Sequence, residues 1–113
     1  VQFLRKDPVG WAKFHAGLAS HSAHGSALTF RGVQMKRPTI YQLEKDLRQI
    51  KAPTLVLIGD QDEATPMADS EFICRSIEGA ELKVIPDAGH LTTIDNPDAV
   101  TEEIAEFLDA RMR

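Results

Sequence analysis

A single cysteine, Cys74, excludes any intrachain disulfide, so nothing covalent holds this fold together and a reducing compartment is the expected setting. No stretch approaches the roughly 18 consecutive apolar residues that a membrane-crossing helix needs. The opening of the chain also lacks the basic-then-apolar order of a secretory signal. A soluble, cytoplasmic protein with no membrane partner is therefore expected. Lys and Arg form no block that could track a phosphate backbone, and 13 basic side chains against 17 acidic ones leave a net charge of -4. Nucleic acid is accordingly not an expected partner. His15, His21 and His24 fall at no zinc-ligand spacing and lie far from the one cysteine, so no metal site is expected. Repeats and low-complexity tracts are missing too.

What remains is 42% apolar and 27% charged, the mixture of one globular unit, in 113 residues that are too few for two ordinary domains. The first residue is Val1 rather than Met, which points to a piece of a larger protein. The chain changes character at Lys51-Ala52-Pro53: residues 1–49 read as helical, and residues 50–113 alternate strand and helix. Asp7-Pro8 is a cap followed by proline at the first helical position, after which Trp11, Phe14 and Leu18 share one face. Pro38 precedes a Thr39-x-x-Gln42 capping box, and Ile40, Leu43, Leu47 and Ile50 then recur at helical spacing. Between these helices Ser22 to Lys36, with Gly25 and Gly32, reads as a loop with room for a short helix.

From Thr54 an unbroken apolar run, Leu55-Val56-Leu57-Ile58, fills the space between Pro53 and Gly59, as in a strand covered on both faces. Thr65 as cap and Pro66 at the first position begin a helix with Phe72, Ile73 and Ile77 inward and Gly79 past its end. Glu81 to Ile85 is a second strand. Asn96-Pro97-Asp98 caps a last helix with an apolar stripe of Val100, Ile104, Phe107 and Leu108, while Glu102, Glu103, Glu106 and Asp109 form its solvated face. Strand, helix and strand with short joins make a βαβ unit with parallel strands, which puts the chain in the α/β class. Two strands cannot cover so apolar a run on both faces and both edges. Further strands are expected, supplied by a missing N-terminal half or by a second copy of the chain.

Gly59-Asp60-Gln61-Asp62-Glu63 leaves the carboxyl end of the first strand, and Asp87-Ala88-Gly89-His90 leaves that of the second. Ligand crevices in open parallel sheets lie outside those ends. Parallel neighbours stand about 4.8 Å apart, so the two loops can bring a carboxylate onto an imidazole. Imidazole is the natural base near neutral pH, and a carboxylate on its second nitrogen fixes the tautomer and stabilises the imidazolium.

Gly59-x-x-Asp62-x-x-x-Pro66 after an apolar strand, with Gly89-His90 following 28 residues beyond the aspartate, resembles the end of the α/β hydrolases. Their triad runs nucleophile, acid, histidine along the chain. The resemblance therefore implies Asp62 as the acid and His90 as the base, and it covers most of residues 50–113. It further implies that residues 1–49 form the cap or lid such enzymes insert before their last two strands, with residues 50–113 as the C-terminal βαβα part of the core. Within the family the chain is most similar to small-molecule esterases, enol-lactonases and carbon–carbon bond hydrolases. A small ester, lactone or related carbonyl substrate is implied, with no cofactor and no metal. The sequence departs from the pattern in having no Gly-x-Ser-x-Gly elbow, and Gly25-Ser26 has no strand before it. A Ser, Cys or Asp nucleophile is then expected on another polypeptide or another segment.

Blander roles compete for several of these residues. His90 could be a loop histidine satisfied by backbone, and Asp60 or Glu63 could replace Asp62, although the family spacing selects Asp62. Asp87 beside Ala88-Gly89 reads as a turn former bonded to its own backbone. Cys74, in mid-helix, reads as a small packing residue. Phe3, Trp11 and Phe14 could line a pocket, but aromatics at helical spacing are more often core. The function of another class to set against hydrolysis is a noncatalytic fragment or binding module that retains the end of such an enzyme.

Overall fold

The computed structural model describes residues 2–112. At its centre two parallel strands, β1 (Leu55–Gly59) and β2 (Glu81–Ile85), pair in register from Leu55 opposite Glu81 to Gly59 opposite Ile85. The connection between them, α5 (Met67–Ser76), and the last helix, α7 (Pro97–Met112), both pack on the strand pair. Ile85, Ala88 and Val100 form the buried centre, with Leu57 and Ala99 against them. The parallel βαβ arrangement and the bounds of β2 are as the sequence predicts.

Ahead of the strands lie α1 (Gln2–Lys6), α2 (Pro8–Ala19), α3 (Ala23–Thr29), a π-helical turn at Phe30–Gln34, a 3-10 turn at Ile40–Leu43 and α4 (Glu44–Leu47). Asp7 caps α2 by accepting the Gly10 N–H at 2.8 Å, and both halves of the Thr39/Gln42 capping box form. Tyr41, in the 3-10 turn, lies 4.5 Å from the Phe72 ring and donates its hydroxyl to Asp69 at 2.7 Å, which ties this segment to α5.

Two local expectations are corrected. Most of Ser22 to Lys36 is helical, more than the short helix expected within a loop, because the Ser22 hydroxyl accepts the Gly25 N–H at 2.8 Å and starts α3. A helical glycine costs only about 1 kcal/mol relative to alanine, and the helix formers Ala23, Ala27 and Leu28 offset it. Thr65 does not cap α5. That helix begins at Met67 after an extended Pro66, and Thr65 turns its side chain instead to the Asp62 carboxylate, to which both its hydroxyl and its backbone N–H donate, so its oxygen is not held over the first turn of α5. The single turn α6 (Thr92–Asp95), which no periodicity signals, precedes α7 and packs against α1.

The apolar surface is only partly covered among the described residues. Val100 is 4% exposed, but Ile104 and Leu108, further along the same stripe of α7, are 41% and 49% exposed. Leu55, Val56 and Leu57 of β1 are half-buried, so the covering expected on both faces is incomplete. The radius of gyration of 16.7 Å exceeds the value of about 13 Å for a compact domain near this size. Two strands and their helices do not enclose a full core.

Candidate active site

The acid loop and the histidine loop are stitched together at the carboxyl ends of β1 and β2. The Asp60 N–H donates to Ile85 O at 3.0 Å, and the Gln61 N–H to Ala88 O at 2.9 Å. Asp60 Oδ1 accepts the Ala88 N–H at 3.1 Å, so this carboxylate joins the loops and is not free to orient a histidine. The crossing is so close that Gly59 is obligatory: a Cβ there would stand 2.3 Å from Gly89 O and 2.4 Å from Ala88 O. Backbone atoms cannot retreat as a flexible side-chain end can.

On this frame Asp62 Oδ2 lies 3.0 Å from His90 Nδ1. Asp62 accepts three further hydrogen bonds, from the Ala64 and Thr65 amides to Oδ1 at 2.9 Å each and from the Thr65 hydroxyl to Oδ2 at 2.8 Å. Its side chain is 6% exposed, against 55% for that of His90. Burial opposes ionisation of Asp62, but the Thr65 amide, His90, the Thr65 hydroxyl and the Ala64 amide together outweigh it and hold the carboxyl at about 2, below its ordinary 3.8. An ionised carboxylate can only accept, so the proton in the 3.0 Å contact sits on His90 Nδ1. Neutral His90 therefore carries its lone pair on Nε2, and no hydrogen bond engages Nε2 among the described residues.

A titration checks this assignment. In a carbonyl-edited NMR experiment Asp62 should titrate near 2; Thr65→Val, which removes the hydroxyl donor, should raise that midpoint. Because the folded value lies below the unfolded one, the stabilisation is complete above about pH 4 and is lost as pH falls through about 2. A midpoint at or above 3.8 in the unmodified chain would refute the hydrogen-bonding scheme.

The remaining candidates fall into place around the pair. Asp87 has a left-handed backbone, φ 52°, which an aspartate tolerates better than most side chains. Its carboxylate meets Arg5 at 2.8 Å and Lys6 at 3.2 Å, and the Lys6 hydrogen bond foremost lowers its pKa. Asp87 is thus a turn residue held by α1, not the partner of His90. Lys6 also donates to the carbonyls of Asp87 and Asp95, bridging both ends of the histidine loop. Asp95 is buried and accepts the Gly89 N–H at 2.8 Å, which steadies the residue before His90. Sequence reasoning passes over Lys6 and Asp95, since neither stands in a motif and their roles depend on contacts across the fold.

A cavity of about 340 Å³ opens beside His90, lined among others by Phe3, Trp11, Phe14, Glu63, Leu91 and Asp95. Phe3 and Trp11 meet edge to face with centroids 5.6 Å apart, and Phe14 lies 5.8 Å from Phe3. Packing and lining are therefore not alternatives for these aromatics, which do both. No serine, threonine or cysteine lines the cavity among the described residues. Cys74 is occupied elsewhere, within 3.2 Å of Ala80 O. His15, His21 and His24 join no metal-binding group among the described residues. No helix there is long and apolar enough to cross a membrane.

A parallel strand pair with a carboxylate–imidazole couple at its carboxyl ends is the arrangement of an α/β hydrolase, and the family model for the alpha/beta hydrolase fold matches residues 10–97. The chain belongs to the α/β-hydrolase-fold family. It is 36% identical over 69 residues to a proline iminopeptidase, PfmaB, of Pestalotiopsis fici, a match covering 61% of this chain and 25% of that protein. A 3-oxoadipate enol-lactonase of Acinetobacter baylyi is 28% identical over 102 residues, 90% of this chain and 36% of that enzyme. The structure of a thermophilic esterase from Thermogutta terrifontis superposes with a TM-score of 0.60 at 37% identity, over 66% of this chain and 26% of that one. The chain thus spans between a quarter and about a third of the length of these relatives.

Proposed function

We propose that the chain contributes the acid and the histidine of a hydrolase that cleaves a small ester, lactone or related carbonyl compound. The observation that carries this reading is the His90–Asp62 contact of 3.0 Å, with Asp62 held by three other donors and His90 Nε2 left to act. Relatives named as an enol-lactonase and an esterase support a lactone or ester as the bond that is cleaved.

In the proposed reaction His90 Nε2 removes the proton of a nucleophile as it attacks the substrate carbonyl, and the imidazolium is stabilised by Asp62. The imidazolium returns that proton to the leaving oxygen as the tetrahedral adduct collapses to an acyl-enzyme. Water, deprotonated by the same nitrogen, then releases the acid. The nucleophile lies on a segment other than the described residues: a Ser or Cys would follow these steps, whereas an Asp, with no proton to give up, would attack directly and leave His90 only the activation of water. Residues 1–49 act as the cap, a role supported by Phe3, Trp11 and Phe14 lining the cavity. The half-covered β1 and the exposed part of the α7 stripe are where the rest of the core packs.

The test is p-nitrophenyl ester turnover by this chain alone and by the chain joined to a hydrolase segment carrying an elbow. No turnover is expected from the first, and measurable turnover from the second. Robust labelling of the isolated chain by a serine-directed phosphonate would contradict the assignment. An inactive joined protein whose cavity still binds small molecules would favour the binding-module reading.

A further inference from the structure

The wall of the cavity beside His90 is chemically one-sided. Three aromatic rings, Phe3, Trp11 and Phe14, form its apolar part, and Glu63 and Asp95 bring carboxyl groups to it. No lysine or arginine is on the lining among the described residues. The cations of neighbouring α1 are committed elsewhere: Arg5 to the Asp87 carboxylate, and Lys6 to that carboxylate and to the carbonyls of Asp87 and Asp95. Asp95 Oδ1 is buried without a hydrogen-bond partner, so no cation is held against this carboxylate among the described residues. Asp62, behind His90, adds a further negative charge.

We infer that this cavity takes a single aromatic ring bearing no negative charge and rejects carboxylate-bearing ligands; the inference rests on the reading of the cavity as the substrate site of a hydrolase. Size points to one ring. A cavity of about 150 Å³ accommodates benzene, so about 340 Å³ accommodates a ring with an ester or amide group attached. Ring edges and faces around one volume suit offset or edge-to-face contact with an aromatic guest. An anion entering the same volume meets two carboxylates. The one basic side chain on the lining among the described residues, His90, already faces Asp62 at 3.0 Å, so the repulsion is little offset in a partly dry cleft that screens less than bulk water does.

Trp11 is the only tryptophan of the chain, so its emission reports on this cavity alone. The experiment titrates the purified chain with phenylacetamide and with phenylacetate, which differ in charge and hardly in shape. Phenylacetamide should bind at least about tenfold more tightly than phenylacetate. Glu63→Lys, a change at an exposed position, should narrow that ratio to within about threefold or reverse it, with unchanged emission of the free protein as the check on folding. Hexanamide should bind more weakly than phenylacetamide. Equal or tighter binding of phenylacetate, or no response to either ring compound, would overturn the inference. His90→Ala separates this from the proposed reaction: charge discrimination should persist in that variant whether or not the joined enzyme proves to be a hydrolase.

Discussion

His90→Ala should lower kcat for ester hydrolysis by about 10⁴-fold or more in the proposed complete enzyme, and Asp62→Asn by about 10³- to 10⁴-fold, with KM little changed in either. The expected inequality comes from geometry. His90 Nε2 is the atom proposed to carry the proton, whereas Asp62 acts through Nδ1, 3.0 Å away, by fixing which nitrogen is protonated and by offsetting the imidazolium charge. An Asn in that place retains an oxygen but loses the charge, and its amide can present a donor to Nδ1 and force the other tautomer. Because the two residues work as one unit, the double variant should be no worse than His90→Ala alone. Steady-state kinetics on the four proteins checks this. Turnover of either single variant within tenfold of the parent would remove that residue from the proposed mechanism.

Gly59→Ala should destabilise the protein by about 3 kcal/mol and, in the proposed complete enzyme, remove activity along with it. The added methyl would overlap the carbonyls of Ala88 and Gly89, both backbone atoms, so the histidine loop would have to lift from the end of β1. That movement would break the hydrogen bonds from the Gln61 N–H to Ala88 O and from the Ala88 N–H to Asp60, which bring the two loops together. Gly17→Ala is the contrast. It sits in α2, a methyl added there would meet nothing within 4 Å, and the change should stabilise the protein by about 0.5–1 kcal/mol through helix propensity. Urea unfolding of the three proteins, compared by midpoint at constant slope, distinguishes a steric effect at Gly59 from a general intolerance of alanine. A Gly59→Ala midpoint equal to that of the parent would mean that the two loops do not cross so closely.

Much of this protein is legible in its residues because the determining interactions are local. The Leu55-Val56-Leu57-Ile58 run, the Asn96-Pro97 start of α7 and the Thr39/Gln42 box each depend on neighbours within a few positions, and each forms as its spacing predicts. The pairing of Asp62 with His90 is legible for a different reason. Parallel strands joined by a helix must release their following loops at the same end, so topology alone brings position 62 near position 90. Local rules fail where two signals compete. Thr65 has the makings of a helix cap, but its side chain turns away from α5 to donate to Asp62 and caps nothing, and Ser22 turns a glycine-containing stretch into helix. Residue order alone thus sets the α/β class, the two strands and a carboxylate-bearing loop beside a histidine-bearing one, with the family resemblance singling out Asp62. It takes the folded arrangement to establish that Gly59 must lack a side chain, that Lys6 and Asp95 brace the histidine loop, and that Phe3, Trp11 and Phe14 face the cavity beside it. Those outcomes turn on contacts between residues far apart in the chain, where no spacing rule constrains which side chains meet.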